Sequence, residues 1–192
     1  TNLIEDLLVY SKVNLEESQL VSIDLNDLLI TLLPDFSYDL NTGKVIIEID
    51  KLPIVEGNKS LLKTVFHNLI SNAIKYQPKG EQNHQAHVKI WCEESESDHQ
   101  VFIQDNGIGI EPEYVDRLFQ PFVRFHSSAE YVGTGLGMSI CQRIMSNHEG
   151  RIDLADTSPR GSLFKLTFPR TKCQITSVNT IDPSVKELST AS

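Results

Sequence analysis

The sequence predicts an α/β two-layer sandwich, and three observations lead there. Short β-rich runs, "KVIIEI" (44–49), "HVKIWCE" (87–93), "VFIQ" (101–104), "RIDLA" (151–155) and "SLFKLTF" (162–168), are interspersed with segments of helical period. The longest such segment, "KSLLKTVFHNLISNAIKY", gathers Leu62, Phe66, Leu69, Ile70, Ala73 and Ile74 on one face, as a helix with a core side does. Apolar residues make up 40% and charged residues 22% of the 192, a balance that suits one ordinary domain with a real core plus appendages.

"TNLIEDLLVYSKVNLEES" sets Leu3, Leu7, Leu8 and Leu15 between charges, which predicts the end of a longer amphipathic helix. With Thr1 in place of Met, the chain is expected to be a piece of something longer. "DLNDLLITLLPDFSYDL" predicts a second helix, capped by Asp24 and interrupted near Pro34. After the strand 44–49, Asn58 caps the long helix. The strands 87–93 and 101–104 are joined by the acidic turn "ESESDHQ". "DNGIGIEPE" (105–113) has the Asp-Asn-Gly of a hairpin turn but no returning strand, because Pro112 and two glutamates read as the first turn of a short helix over 111–119. Residues 120–134 lack periodicity and read as a loop, and 136–148 as a helix. From about Lys172 the sequence is polar and aperiodic, a predicted disordered tail.

Composition excludes several functions. A net charge of −9 gives no basic footprint for nucleic acid or an anionic membrane, although an anionic ligand is compatible with locally gathered cations. No run approaches the roughly 20 apolar residues of a membrane span, and the opening residues are not expected to act as a signal peptide. Cys92, Cys141 and Cys173 are odd in number and far apart, which reads as reduced thiols in a cytoplasmic setting. Neither His84 nor His87 has further metal ligands nearby, His67 and His148 read as surface or packing residues, and no Ser/His/Asp arrangement follows from spacing.

Four clusters carry chemistry, each with a plainer alternative. On the long helix Asn68, Asn72 and Lys75 lie opposite the apolar face, with Tyr76 at its margin. Amide oxygens suit hard cations and a lysine one turn on suits a phosphate, yet the same stripe fits a solvated face, and Leu61 and Val65 share its azimuth. In the second cluster Asp105 can accept a hydrogen bond from an exocyclic amine. Gly107 and Gly109 let backbone approach a flat ligand, or simply make a loop. The third, "GTGLGMSI" (133–140), runs glycines into a helix N-terminus, a place for an anion. It is neither a dinucleotide fingerprint, since Met138 holds the third glycine position, nor a P-loop. In the fourth, "LFQPFVRFHSS", Phe119, Phe122 and Phe125 suit aromatic anchors of a loop, while Arg124 between them suits phosphate.

Together and in this order, "NLISNAIKY", "DNGIGI", "LFQPF" and "GTGLGMSI" resemble the N, G1, F and G2 boxes of the histidine-kinase ATP-binding domain, relative of gyrase, Hsp90 and MutL ATPases. The resemblance implies a mixed sheet packed on one layer of helices, an α+β Bergerat-type ATP-binding fold. It divides the chain into 1–20, the end of a dimerisation and histidine-phosphotransfer helix that "LIEDLLVYSKV" resembles; 21–171, the ATP-binding kinase domain; and 172–192, the tail. It implies ATP and Mg²⁺ as ligands. Asn72 would hold the metal between phosphates, Asn68 would order it or its waters, and Lys75 would meet the phosphates. Tyr76 would lie against adenine and Asp105 would accept its amino group, with Gly107 and Gly109 shaping the base pocket. Residues from about Phe122 to Thr134 would form a mobile lid. Gly133, Gly135 and Gly137, with Thr134 and Leu136 between them, would hinge it and offer N–H groups to phosphate, with Arg124 as a further phosphate contact.

Two departures bear on function. The last glycine-rich box is thin, "SPRGSLF", with one glycine where two are common. Position 68 is Asn where the gyrase and Hsp90 branches carry a glutamate that activates water, and an amide takes no proton at neutral pH. The expected function is therefore γ-phosphoryl donation to a histidine on an adjacent helical hairpin, as the catalytic part of a two-component sensor histidine kinase. The implied partners are that hairpin, a homodimer partner and a response regulator, with membrane anchoring of the parent left open. The alternatives are a degenerate nucleotide-binding scaffold and a gyrase-type ATPase.

Overall fold

The computed structural model describes residues 20–78, 84–125, 131 and 133–170. The predicted opening helix and the tail from Lys172 lie outside the described residues, as does Cys173. In chain order the elements are β1 (Val21–Asp24), α1 (Leu25–Ile30), a 3₁₀ turn (Leu33–Phe36), α2 (Ser37–Asn41), β2 (Val45–Ile49) and β3 (Ile54–Gly57). Then come α3 (Lys59–Lys75), β4 (Ala86–Glu94), β5 (Asp98–Asp105), α4 (Pro112–Val115), α5 (Gly137–Asn147), β6 (Arg151–Ser158) and β7 (Gly161–Pro169).

Five strands form a mixed sheet in the order β2-β4-β5-β7-β6, with β2 and β4 parallel and the other pairs antiparallel. Val88 and Ile90 on β4, Val101 and Ile103 on β5, and Leu166 and Phe168 on β7 point the same way and are buried with α1, α3 and α5 in one continuous core. The sequence-predicted two-layer sandwich is thus observed.

Local chemistry explains the elements that carry the site. Asp24 caps α1, its Oδ1 accepting from Asn26 Nδ2 and from Asn26 N, each at 2.8 Å, and these bonds, the side-chain one first, hold its carboxyl below the ordinary value. Proline then stops α1, and the chain continues as the 3₁₀ turn containing Pro34. Asn58 caps α3 twice, accepting from Ser60 N at 2.9 Å and Leu61 N at 3.1 Å. His148, at the far end of α5, ties that same corner down. Its Nδ1 bonds the Ile144 carbonyl at 2.7 Å and its Nε2 accepts the Asn58 N–H at 2.9 Å. His148 is 4% exposed, so it is a packing residue that also clamps two helices together.

Four features differ from the sequence expectations, the first being that the helix expected over 111–119 is only the single turn α4, Pro112–Val115. β1 and β3 form a separate antiparallel ladder, Val21 opposite Gly57 through Asp24 opposite Ile54. The acidic turn is shorter than predicted, because β5 begins at Asp98 and runs through His99 and Gln100. The polar azimuth of α3 is not a wet face: Val65 is fully buried there, its carbonyl accepting from the Cys141 thiol of α5 at 3.9 Å. Among the described residues, no helix is long and apolar enough to cross a membrane.

Candidate functional site

Asp105 ends β5, where the sheet stops and the chain turns over α3. Its neighbour fixes the turn: Asn106 Oδ1 accepts from His87 N at 2.7 Å and its Nδ2 donates to the Gln85 carbonyl at 2.9 Å. That use of the Asn side chain locks the strand end to β4, so Asp-Asn-Gly does not return as a hairpin. The backbone next meets the end of α3, where Ile108 N donates to the Tyr76 carbonyl at 3.0 Å. Gly107 is required at this meeting, since a Cβ on it would run into that same carbonyl. Gly109, with φ of +70°, packs so closely on the Ser158 carbonyl that it too admits no side chain.

Asp105 Oδ1 accepts two backbone N–H groups, Gly107 at 2.8 Å and Ser162 at 3.3 Å. Burial nevertheless wins, pushing the carboxyl above its ordinary value, with the two N–H groups pulling the other way. Its second oxygen takes no hydrogen bond from the described residues. Ser162 is the second residue of β7, immediately after the single glycine of the thin box. The positive φ of that glycine, Gly161, seats it against the Asp105 carbonyl. One glycine is enough for the geometry observed.

A cavity of about 290 Å³ joins this carboxylate to the α3 amides. Asn68, Asn72, Lys75, Tyr76, Asp105, Gly109, Arg124, Gly133, Thr134, Gly135 and Gly137 all line it. The structure thus brings together most of the residues singled out from the sequence. Two stand apart. Gly107 lies buried beneath the wall and shapes it through Tyr76, and Leu136 is 1% exposed in the core.

The amide end is built by packing α5 on α3. Asn72 Nδ2 donates to Met138 Sδ at 3.5 Å, and Asn68 Nδ2 to the Gly137 carbonyl at 3.5 Å and Cys141 Sγ at 3.7 Å. α5 starts at Gly137 with no side-chain cap on its N-terminus, which leaves its first N–H groups for an anion at the cavity. The Lys75 ammonium donates to the Tyr76 hydroxyl at 2.7 Å and sits 4.1 Å over that ring. The Tyr76 ring packs in turn on Tyr131 at 5.0 Å.

Of the expected lid, residues 126–130 and 132 lie outside the described residues. Arg124 donates to the Tyr131 carbonyl at 2.8 Å. Phe122 and Gly135 share a left-handed backbone, φ +64° and +75°, and are joined by the bond from Phe122 N to the Gly135 carbonyl. The three phenylalanines part company. Phe119 and Phe125 pack against the core, Phe125 also stacking on Tyr114 at 4.6 Å, while Phe122 is 62% exposed.

Sequence reasoning did not reach Met138, Ser162, Tyr114 or Glu111 as lining residues. Met138 carried a signal in hindsight, as a large flexible side chain inside a glycine run. Ser162 and Tyr114 become visible only when β7 and α4 are folded onto the site.

These donors fit a hard cation held against a triphosphate. Such ions take only one or two protein oxygens and complete their shell with phosphate and water, and the Asn72 and Asn68 oxygens at the cavity answer that need.

Residues 57–172 match the sequence profile of the "Histidine kinase-, DNA gyrase B-, and HSP90-like ATPase" family. The phytochrome-like protein Cph1 of a Synechocystis strain is 35% identical over 87% of this chain and 22% of its own length. The phosphate regulon sensor protein PhoR of Pseudomonas aeruginosa is 30% identical over 87% of this chain and 38% of its own. The chain therefore spans about a fifth to two fifths of these curated relatives. Among solved structures, the catalytic domain of histidine kinase ThkA superposes with a TM-score of 0.64 at 26% identity, covering 79% of this chain and 98% of that domain.

Proposed function

Because the chain belongs to the family of histidine kinase-, DNA gyrase B- and HSP90-like ATPases, we propose that it holds Mg·ATP in the cavity between α3, the end of β5 and α5. It there serves as the phosphoryl-donating part of a sensor histidine kinase. The observation that carries this is the sharing of one cavity by the Asp105 carboxylate and the Asn72 amide. One end suits the amino group of a purine and the other a charged polyphosphate.

Each residue then has a task. Asp105 accepts the adenine amino group in a pocket whose wall depends on Gly107 and Gly109. Lys75, the N–H groups of Gly135 and Gly137 and the start of α5 meet the phosphates. Tyr76 lines the cavity between the two ends, and Arg124 and Thr134 border it from the lid side. Asn72 would hold Mg²⁺, which neutralises phosphate charge when bound, and Asn68 would help to order the metal or its waters. Phosphoryl transfer asks a protein mainly for positioning and charge neutralisation, and these residues supply both. The residue at position 68 decides the fate of the γ-phosphoryl group. Its amide nitrogen already donates to Gly137 and Cys141, and its oxygen takes no proton at neutral pH, so water is not activated there.

The acceptor is a histidine on a helical hairpin of the parent protein. The parent works as a homodimer, with this domain on the cytoplasmic side, and passes the phosphoryl group on to a response regulator. The test supplies that hairpin in trans with labelled ATP and Mg²⁺. Label on the hairpin histidine is expected. No label despite tight nucleotide binding would favour a scaffold, and turnover by the chain alone at the rate of a dedicated ATPase would favour the gyrase type.

A further inference from the structure

An asparagine serves a cation only through its oxygen, and the side-chain amide has two nearly isosteric ends. Something must decide which end faces the ligand. At this site the deciding atoms lie on the first turns of α5, and two of them are sulfurs. Asn72 Nδ2 meets Met138 Sδ at 3.5 Å. Asn68 Nδ2 meets the Gly137 carbonyl at 3.5 Å and Cys141 Sγ at 3.7 Å. A thioether and a carbonyl have no hydrogen to give, so a flipped amide would set oxygen against oxygen or sulfur lone pairs. The Cys141 hydrogen is committed elsewhere, directed at the Val65 carbonyl at 3.9 Å. Cys141 is fully buried, so its sulfur meets only protein groups. Neither asparagine oxygen accepts a bond from the described residues, and both side chains line the cavity.

We infer that Met138 and Cys141 are positioning residues: their sulfurs accept the amide N–H groups of Asn72 and Asn68 and so fix both amide oxygens toward the cation. This deepens the Mg·ATP reading and rests on it. It also gives Met138 a reason to stand within a glycine-rich run, where a branched hydrocarbon would fill the space and offer no acceptor. Groups behind a metal's own ligands commonly tune its affinity, and here weak acceptors do so through geometry alone.

The test measures ATP binding across a Mg²⁺ series, and adenosine binding without metal, for the unsubstituted chain and for Met138→Leu, Cys141→Ala and Cys141→Ser. Met138→Leu and Cys141→Ala are expected to raise the Mg²⁺ concentration for half-maximal ATP binding roughly three- to tenfold, while adenosine affinity stays within about twofold. Cys141→Ser keeps the unsubstituted Mg²⁺ dependence, because a hydroxyl both donates to Val65 and accepts from Asn68. Met138 is only half-buried, so its variant folds even if the Cys141 variants suffer. Unchanged Mg²⁺ dependence in Met138→Leu and Cys141→Ala overturns the inference and leaves the nucleotide reading intact. So does an equal loss of adenosine binding, which would mean repacking. Failure of the unsubstituted chain to bind any nucleotide sinks both.

Discussion

Replacing Asp105 by Asn tests the base-binding end with almost no change of shape. Asp105 Oδ1 accepts Gly107 N at 2.8 Å and Ser162 N at 3.3 Å, and an asparagine oxygen can keep both bonds. The other position then changes from an acceptor to an NH₂ facing the cavity, donor against the donor of adenine. Losing a hydrogen bond to a charged acceptor and leaving a facing donor unpaired costs about 2–3 kcal/mol of binding. That is roughly 30- to 150-fold in affinity for ATP. A nucleotide with a 6-oxo purine should lose far less, so the preference between the two bases narrows or inverts. Stability should move the other way. Burial raises the folded-state value of this carboxyl above the ordinary 3.8, so its contribution to stability is full below 3.8 and is lost as pH rises through the raised value. At pH 7 the Asn variant should therefore melt no lower than the unsubstituted chain, and any advantage should fade toward pH 3.8. In the same range ATP affinity of the unsubstituted chain should fall as acid protonates the acceptor. Calorimetric titration with both nucleotides and a melting series against pH read all three effects. An Asn variant that binds ATP within about twofold of the original, with an unchanged base preference, would refute the assignment of Asp105.

Other perturbations separate the parts of the site. Asn72→Ala should weaken Mg·ATP binding about tenfold or more while sparing adenosine, since only the cation end loses a ligand; calorimetry with the two ligands checks it. Gly107→Ala forces a methyl group onto the Tyr76 carbonyl and should destabilise the fold by about 2 kcal/mol, read as a lower urea midpoint. His148→Leu leaves the Asn58 N–H and the Ile144 carbonyl without their shared partner and should cost about 1–3 kcal/mol by the same measurement, with nucleotide affinity of the folded chain little changed.

What the sequence disclosed follows the strength of local signals. Asn58 and Asp24 announced their helices because a cap is a contact between near neighbours, and α3 announced its core face because seventeen residues repeat the pattern often enough. β1 and β3 were missed because four-residue strands with few inward apolar positions carry almost no periodicity, and each is held by the other across a long separation. The early start of β5 was missed for a similar reason. Asp98, His99 and Gln100 are poor strand formers, but β7 pairs with them through Pro169, Phe168 and Thr167. The site was legible as four motifs, while its second half, the packing of Met138 and Cys141 on the asparagines, depends on how two helices meet, and no spacing along one chain records that.

The two ends of the cavity differ in how firmly they are built, and this bears on how the site works. The carboxylate end is part of the sheet. Asp105 is a strand residue held by backbone N–H groups from Gly107 and β7, its neighbour Asn106 is bonded to β4, and Gly107 is wedged on the end of α3. The end proposed to take the phosphates is assembled from side chains, namely two amides held by sulfur and carbonyl acceptors, a lysine resting on a tyrosine, and an arginine on a loop carbonyl. Lys75 and Arg124 each give one N–H to a neighbouring protein group, and their remaining donors reach a phosphate only as these long side chains, which no strand holds, settle on it. Base recognition should therefore be nearly preformed, whereas phosphate binding carries the rearrangement. A donor that must present its γ-phosphoryl group to a separate acceptor gains from that division, because the nucleotide stays anchored while its reactive end is free to be realigned.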